Sequence, residues 1–462
     1  MSEIAQDSRL RGNSIQNVFF IGIGGIGMSA LARYFAKNGK HVAGYDKTPS
    51  RVTDGLQKEA VSVFFDENME LLDPGFFQKE KTLIVYTPAV AAENKWFVHF
   101  KEKGFLLKKR AQVLGEITKG KPTLAIAGTH GKTTTTAILA HLLKESGVKL
   151  TAFLGGISEN YHSNILLEGE EVFVVEADEF DRSFLQLSPT MAAITSMDAD
   201  HLDIYGENEQ LQQSFRDFAN LLPDPEKLFV KNGLPLRGKT FGVDDNADFS
   251  AKNIQIKNGR YEFDLQTPTG LETGFKFALP GKHNLSNAVT ALAMALDYGV
   301  SPKDLISALA TFKGVQRRFT YRIKTNDFVL IDDYAHHPAE IDAVHQAVRE
   351  MYPDKKVVAV FQPHLYSRTR DFSDDFAQSL AQFDNVLLLE IYPAREQPIS
   401  GIDATFLLNK IQHQNKKLVD KTELFQEIKK SGCPVVVMMG AGDIGEEIQK
   451  IVKAYNYAPP QL

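Results

Sequence analysis

The chain has 462 residues, 43% hydrophobic and 24% charged, enough for about three domains with separate cores and too apolar for a disordered polymer. A formal net charge of −6, with acids and bases interspersed, argues against a nucleic-acid surface or an anionic membrane as the main partner. The single cysteine, Cys433, excludes an internal disulfide and a thiolate metal cluster and favours a reducing cytoplasm.

The most apolar stretch, Val18 to Ala32, is shorter than the roughly 20 residues a bilayer span needs and follows a polar segment containing Glu3 and Asp7, so neither a signal peptide nor a membrane anchor is expected. Here Val18-Phe19-Phe20-Ile21 reads as a strand, Gly22-Ile23-Gly24-Gly25-Ile26-Gly27 as a turn, and the residues through Ala36 as an amphipathic helix. The next strand, His41 to Asp46, completes a βαβ start. Gly22, Gly24 and Gly27 satisfy the dinucleotide fingerprint, and Asp46 stands where a ribose-binding carboxylate is expected. Alone this predicts NAD, yet the fingerprint specifies only a pyrophosphate at a helix N-terminus, and a ligand-free packing turn is the alternative. The block runs through the strand Thr82–Tyr86 to a polar linker, Thr118-Lys119-Gly120-Lys121-Pro122.

A second block opens on a short apolar strand, Leu124 to Ala127, followed by Gly128-Thr129-His130-Gly131-Lys132-Thr133-Thr134 and an Ala/Leu-rich helix. Backbone amides in such a turn point inward, the helix N-terminus adds partial positive charge, Lys132 can reach terminal phosphate oxygens, and the Thr133 hydroxyl suits Mg2+. The strict Walker pattern needs glycine at 126, where Ile126 stands, so this is a shortened triphosphate cradle; a glycine-rich turn without ligand is the bland alternative. Strands Val172–Glu176 and Met191–Ser196 end in two acidic clusters, Glu176-Ala177-Asp178-Glu179 and Asp198-Ala199-Asp200-His201-Leu202-Asp203. In an open parallel sheet ligands bind beyond the carboxyl ends of the strands, so Glu176 is the leading Mg2+ ligand, while Asp178, Glu179 and Asp200 could solvate or cap loops.

From about Lys227 to Leu279 the pattern alternates and is rich in turns, which predicts an antiparallel insertion, and a helix follows Gly281-Lys282-His283-Asn284. A third block begins after Gln316-Arg317-Arg318-Phe319, with strands near 329–331, 357–361, 386–389 and 435–438 separated by helical patterns: another doubly wound α/β unit. No short-period repeat or low-complexity segment is present.

Together, Gly-Thr-His-Gly-Lys-Thr-Thr-Thr at 128–135, Glu-Ala-Asp-Glu at 176–179, Asp-His-Leu-Asp-Ile-Tyr-Gly at 200–206, Gly-Lys-His-Asn-Leu-Ser-Asn-Ala at 281–288 and Asp-Asp-Tyr-Ala-His-His-Pro at 332–338 resemble the Mur ligases, most closely the alanine-adding branch. The resemblance spans nearly the whole chain in order. It implies an α/β protein of three domains: a Rossmann-like UDP-sugar domain at 1–119, a central P-loop ATPase at 120–320 with a parallel sheet and a smaller antiparallel part, and a Rossmann-like closing domain at 321–462. Gly22, Gly24, Gly25, Gly27 and Asp46 are then re-read as a UDP-sugar site. Thr133, Glu176 and His201 would hold Mg2+, with ATP on residues 128–134 (Gly128, Thr129, His130, Gly131, Lys132, Thr133 and Thr134), Asn287 near the adenine, and Arg318 and Asp333 joining the nucleotide from the domain junction and the closing domain. His283, Asn284 and His337 are weaker carry-overs, and capping or packing is the bland reading of each.

The implied reaction joins L-alanine to the carboxylate of UDP-N-acetylmuramate in peptidoglycan precursor synthesis, with ATP and Mg2+, in a cytoplasmic monomer or weak homodimer. The carboxylate attacks the γ-phosphate, giving an acyl phosphate and ADP; the amine attacks the acyl carbon and phosphate leaves. Two anions meet in the first step, so Lys132 and Mg2+ must neutralise charge, which fits the absence of a Ser/His/Asp or Cys/His signature. Closure of the third domain would shield the acyl phosphate from water.

Two positions depart from the family pattern. Gln213 to Phe218 offers no lysine for the carbamate that many members use, as in the alanine-adding branch. In Phe361-Gln362-Pro363-His364-Leu365-Tyr366-Ser367-Arg368, Leu365 replaces a frequent arginine, leaving His364 and Arg368 to face substrate, with Arg395 as a possible substitute charge. Three rival readings stand: an NAD-dependent oxidoreductase built on Gly22–Gly27 and Asp46, a metal-dependent hydrolase built on His336, His337, His364 and Asp333, and, within the family, the ligase that recycles a tripeptide.

Overall fold

A computed structural model describes residues 14–198, 208–257, 259–394 and 396–457. Two compact units result: Met1–Ile254 with Phe263–Lys276 and Ser286–Lys313, and Gln255–Glu262 with Phe277–Leu285 and Gly314–Leu462.

The first unit begins with β1 (Asn17–Ile21), β2 (His41–Tyr45), β3 (Ser62–Phe64), β4 (Thr82–Tyr86) and β5 (Leu106–Lys109), a parallel sheet in the order β3-β2-β1-β4-β5. β1 is central and buried along its whole length, as expected of a parallel strand covered on both faces. Alternation sends Phe19 and Ile21 into a cluster with Trp96 and Phe100, and Val18 and Phe20 into another with Leu31 and Phe35. Phe19 lies 4.8 Å from the Trp96 ring and 5.3 Å from the Phe100 ring, centroid to centroid.

The second sheet comprises β6 (Thr123–Ala127), β7 (Leu150–Phe153), β8 (Ile165–Leu167), β9 (Val172–Glu176), β10 (Met191–Ile194), β11 (Leu228–Lys231), β12 (Lys239–Val243), β13 (Phe249–Lys257), β14 (Arg260–Thr267) and β15 (Gly270–Phe277). Its order is β15-β14-β13-β12-β11-β10-β6-β9-β7-β8. The expected antiparallel insertion over 227–279 is corrected here: β11 pairs in parallel with β10, β12 with β11, and β13 with β12. Only β13, β14 and β15, joined by turns too short for a parallel crossover, form a meander. Alternation of polar and apolar residues reports a half-exposed sheet and carries no information on strand direction. β10 also stops at Ile194, two residues before the expected Ser196, because Thr195 and Ser196 turn to bond the phosphate loop.

In the second unit, β16 (Thr320–Lys324), β17 (Val329–Asp333), β18 (Val357–Phe361), β19 (Asn385–Leu388), β20 (Lys416–Leu418) and β21 (Val435–Met439) take the order β16-β17-β21-β18-β19-β20. β16 is antiparallel to β17, and the other pairings are parallel. Cys433 is buried as a free thiol. Among the described residues no helix is long and apolar enough to cross a membrane.

Candidate active site

The phosphate loop starts where β6 ends. Register places Ile126 beside Glu176 of β9, so the end of β6 lies next to a carboxylate-bearing strand end. Ile126 is a fully buried strand residue, which explains why the turn begins two residues later than the strict Walker pattern would place it. Gly128 has φ +135°, and a Cβ there would meet Thr195 Oγ1 at 2.1 Å. Gly131, at φ +83°, caps the helix Lys132–Glu145, and its Cβ would lie 2.5 Å from Asn287 Oδ1. Both positions therefore need glycine for conformation and for space. The loop is tied down by Ser196, whose Oγ accepts the His130 amide at 2.7 Å and lies 2.9 Å from Thr129 Oγ1. Asp198 donates its amide to Thr129 Oγ1 at 3.2 Å, and its carboxylate stands 3.7 Å from the His130 ring. Thr134 is buried on the first turn of the helix.

Lys132 folds back over this turn. Its Nζ donates to Gly128 O at 2.6 Å and to Glu179 Oε1 at 2.9 Å, with the Glu179 side chain fully buried. Burial disfavours the ammonium, but Glu179, Asp178 and Glu176 outweigh it and hold Lys132 above the ordinary lysine range. Thr133 Oγ1 lies 3.0 Å from both carboxylate oxygens of Glu176. A Cβ on Gly155 would meet Glu176 Oε2 at 1.9 Å, so the carboxylate fills space that only glycine leaves open. A hydroxyl and a carboxylate converging beside a phosphate turn are the hard oxygen donors that Mg2+ takes. Asp200, His201, Asp203 and Arg395 lie outside the described residues.

The first glycine motif forms the expected turn. Gly22 has φ +90° and donates its amide to Tyr45 O at 2.7 Å; Gly25 caps the helix Ile26–Lys37. Asp46 Oδ2 accepts the Gly24 amide at 2.7 Å, so this carboxylate closes the turn. A Cβ on Gly27 would lie 3.0 Å from Arg110 Cδ and Nη1. Arg110, which motif reading passed over, opens the helix Arg110–Thr118 and pairs with Asp178 at 3.4 Å, while its neighbour Lys109 pairs with Asp181 at 2.7 Å. The one signal available was the basic run Lys108-Lys109-Arg110 at a strand end.

In the second unit Asp333 ends β17. Its carboxylate accepts the amides of Phe319 and Ala335, each at 2.7 Å. Burial pushes its pKa up to about 6 against the opposing pull of Arg318 and the two amides. Arg318 stacks 5.2 Å from the Tyr334 ring centroid and stands 3.8 Å from Glu340. Arg368 lies half-buried on the short helix Tyr366–Asp371; its N-cap, Leu365, has φ +71°, a strained value for a branched side chain. The His364 ring stacks on Tyr392 at 5.8 Å and lies 6.1 Å from His336. His337 packs on Phe372 at 4.7 Å. Among the described residues no group of three or more His, Cys, Asp or Glu side chains is arranged to hold a metal.

A third glycine fingerprint, Gly440-Ala441-Gly442-Asp443-Ile444-Gly445, links β21 to the helix Ile444–Tyr457. Side chains occupy this one. Gln362 Oε1 accepts the Ile444 amide at 3.0 Å, and Arg317 donates to the carbonyls of Gly440 and Gly442 at 2.5 and 3.3 Å. An amide oxygen thus takes the place of an anion at the helix start.

Comparison with known proteins follows the same three-part layout. Residues 17–122 match the Mur ligase family catalytic domain, 126–295 the Mur ligase middle domain, and 317–442 the Mur ligase glutamate ligase domain. The chain is 60% identical over 443 residues to a UDP-N-acetylmuramate–L-alanine ligase of Christiangramia forsetii, covering 96% of this chain and 98% of that protein. It is 58% identical over 441 residues to a protein of the same name from Flavobacterium psychrophilum, with coverage of 96% and 98%. Among solved structures it is similar to the UDP-N-acetylmuramate–alanine ligase of Thermotoga maritima, with a TM-score of 0.83, 28% identity, and coverage of 96% of this chain and 99% of that one. With its glycine turn, its phosphate loop and all three domain matches in order, the chain belongs to the Mur ligase family.

Proposed function

We propose that this chain is an ATP-dependent ligase that joins L-alanine to the carboxylate of UDP-N-acetylmuramate through an acyl phosphate, in peptidoglycan precursor synthesis. The observation that carries the chemistry is the convergence of Lys132, Thr133 and Glu176 at the carboxyl ends of β6 and β9. Kinship with L-alanine ligases across nearly the full chain carries the acceptor. Family membership replaces the oxidoreductase reading, which left the Lys132 loop unexplained.

In this reading the amides of the turn 128–131 and the start of the helix Lys132–Glu145 bind the ATP phosphates. Lys132 leaves the Gly128 carbonyl for the γ-phosphate, where its charge offsets the approach of the substrate carboxylate. Glu179 holds the lysine in place between turnovers. Thr133, Glu176 and His201 would hold Mg2+, which supplies charge neutralisation at the phosphates. Asn287, expected near the adenine, stands against Gly131 of the phosphate turn, so we assign it to the phosphate end of the nucleotide instead; Arg318 and Asp333 are assigned to the nucleotide and Arg368 to the substrate. Gly22, Gly24, Gly25 and Gly27 bind the UDP pyrophosphate, and Asp46 sets the turn they form. We place the domain boundaries at 119/120 and 320/321, and the enzyme in the cytoplasm as a monomer or weak homodimer.

The helix Asn208–Ala219, where other members carry the carbamylated lysine, buries Phe215 and Phe218 against Phe184, with ring centroids at 5.5 and 4.9 Å. That apolar seam supports a carbamate-free site. The deciding experiment measures phosphate release with ATP and UDP-N-acetylmuramate, offering L-alanine or the tripeptide and confirming the UDP-linked product by mass. L-Alanine should be best, glycine and L-serine poorer, and D-alanine and the tripeptide inactive. A pocket sized for one methyl group separates L-alanine from glycine by only about 1 to 3 kcal/mol. A higher kcat/KM with the tripeptide would move the enzyme to the recycling branch.

A further inference from the structure

Arg110 stands between the first glycine turn and the acidic residues that follow β9. On one side, its Cδ and Nη1 come within 3.0 Å of the Cβ position of Gly27, in the first turn of the helix Ile26–Lys37. On the other, Nη2 pairs with Asp178 at 3.4 Å, and Arg110 lines the same cleft as Glu176, Phe184 and Leu187. The guanidinium is held at the mouth of the glycine turn by its place at the start of the helix Arg110–Thr118 and by this long ion pair, whose side chains are 24% and 39% exposed. A pair so open to water is weakly bound, and its cation can turn to a stronger anion. The missing side chain of Gly27 makes the room: its φ is not left-handed, so what glycine provides here is space for the guanidinium.

We propose that Arg110 is a substrate-binding residue that grips the pyrophosphate of the UDP-sugar on the first glycine turn. The proposal rests on the reading of that turn as the UDP-sugar site. A planar fork of donors matches two phosphate oxygens at once, whereas a lysine offers only a point charge. Helix-start amides on one side and Arg110 on the other would enclose the pyrophosphate, and the sugar's carboxylate would then extend along the cleft toward Glu176 and the phosphate loop.

The test is calorimetry on the full chain, with UDP-N-acetylmuramate, UDP and ATP titrated separately into wild type, Arg110→Ala, Arg110→Lys and Asp178→Asn. Arg110→Ala should weaken UDP-N-acetylmuramate and UDP alike by about tenfold or more, and Arg110→Lys should recover only part of the loss. ATP affinity should stay within about twofold in both variants. Asp178→Asn breaks the same ion pair but keeps the guanidinium, so UDP-sugar affinity should hold; a loss equal to that of Arg110→Ala would show that the pair is merely structural and overturn the proposal. Unchanged UDP affinity in Arg110→Ala, or a loss confined to ATP, would overturn it too. If wild type itself fails to bind UDP-N-acetylmuramate, the reading of the glycine turn falls first, and the proposal with it.

Discussion

Replacing Lys132 with alanine separates a catalytic effect from a structural one, because the proposed function gives the lysine a phosphate partner besides the carboxylate it meets in the structure. In the structure its ammonium lies 2.8 Å from Glu179, whose side chain is fully buried while that of Lys132 is 13% exposed. Lys132→Ala strips the cation from a buried carboxylate, a change that typically costs about 3 to 5 kcal/mol of stability. In the proposed mechanism it also removes the charge offsetting the meeting of carboxylate and γ-phosphate, a transition-state contact of about 3 kcal/mol or more, or roughly a hundredfold in kcat. Adding Glu179→Gln removes the stranded charge, so the double variant should regain roughly half or more of the lost stability, an interaction energy of the size contacting residues show. It should regain no turnover. Urea unfolding gives the first quantity and steady-state phosphate release the second, while UDP-sugar binding stays near wild type in both variants. Near-wild-type turnover in Lys132→Ala, or a stability loss that Glu179→Gln leaves untouched, would refute the reasoning.

Three further outcomes are expected. UDP-N-acetylmuramate should raise the melting temperature by ligand linkage and NAD should not; a shift with NAD alone would reverse the assignment of the Gly22–Gly27 turn. Removing bicarbonate and CO2 should leave the rate unchanged, since the helix Asn208–Ala219 contains no lysine to carry a carbamate, while chelating Mg2+ should abolish it; bicarbonate rescue of a depleted enzyme would contradict this. His141, on the phosphate-loop helix, lies 2.6 Å from Tyr161 Oη and 3.0 Å from Ala308 O, and burial holds its pKa below the ordinary histidine value. The unfolded chain binds a proton near pH 6.5 and the folded one only lower, so His141 contributes stability above about pH 6.5 that is lost as pH falls. His141→Asn should flatten the stability profile between about pH 7 and 5 measured by urea unfolding; an unchanged slope would show that another group carries it.

The chemistry was legible wherever one segment contains its own cause. A strand, two glycines and a lysine opening a helix make a phosphate turn from consecutive residues, and both Gly128 and Gly131 adopt the left-handed backbone that such a turn demands. The apolar runs of β1, β6 and β21 read as buried parallel strands because covering both faces leaves no polar alternation. What pairs across the chain was not legible. The 227–279 region alternates whether its strands run parallel or antiparallel, and only neighbouring strands decide which. Asp46 has the position of a ribose ligand, but tertiary packing brings the Gly24 amide to it first. The glycines at 440–445 carry the nucleotide fingerprint, yet Gln362 and Arg317, distant in sequence, fill the turn. Arg110 belongs to no motif and matters only because a helix start sets it beside Gly27 and Asp178. Local backbone chemistry is written in adjacent residues; which charge meets which turn depends on contacts between residues far apart, and those form only when the sheets assemble.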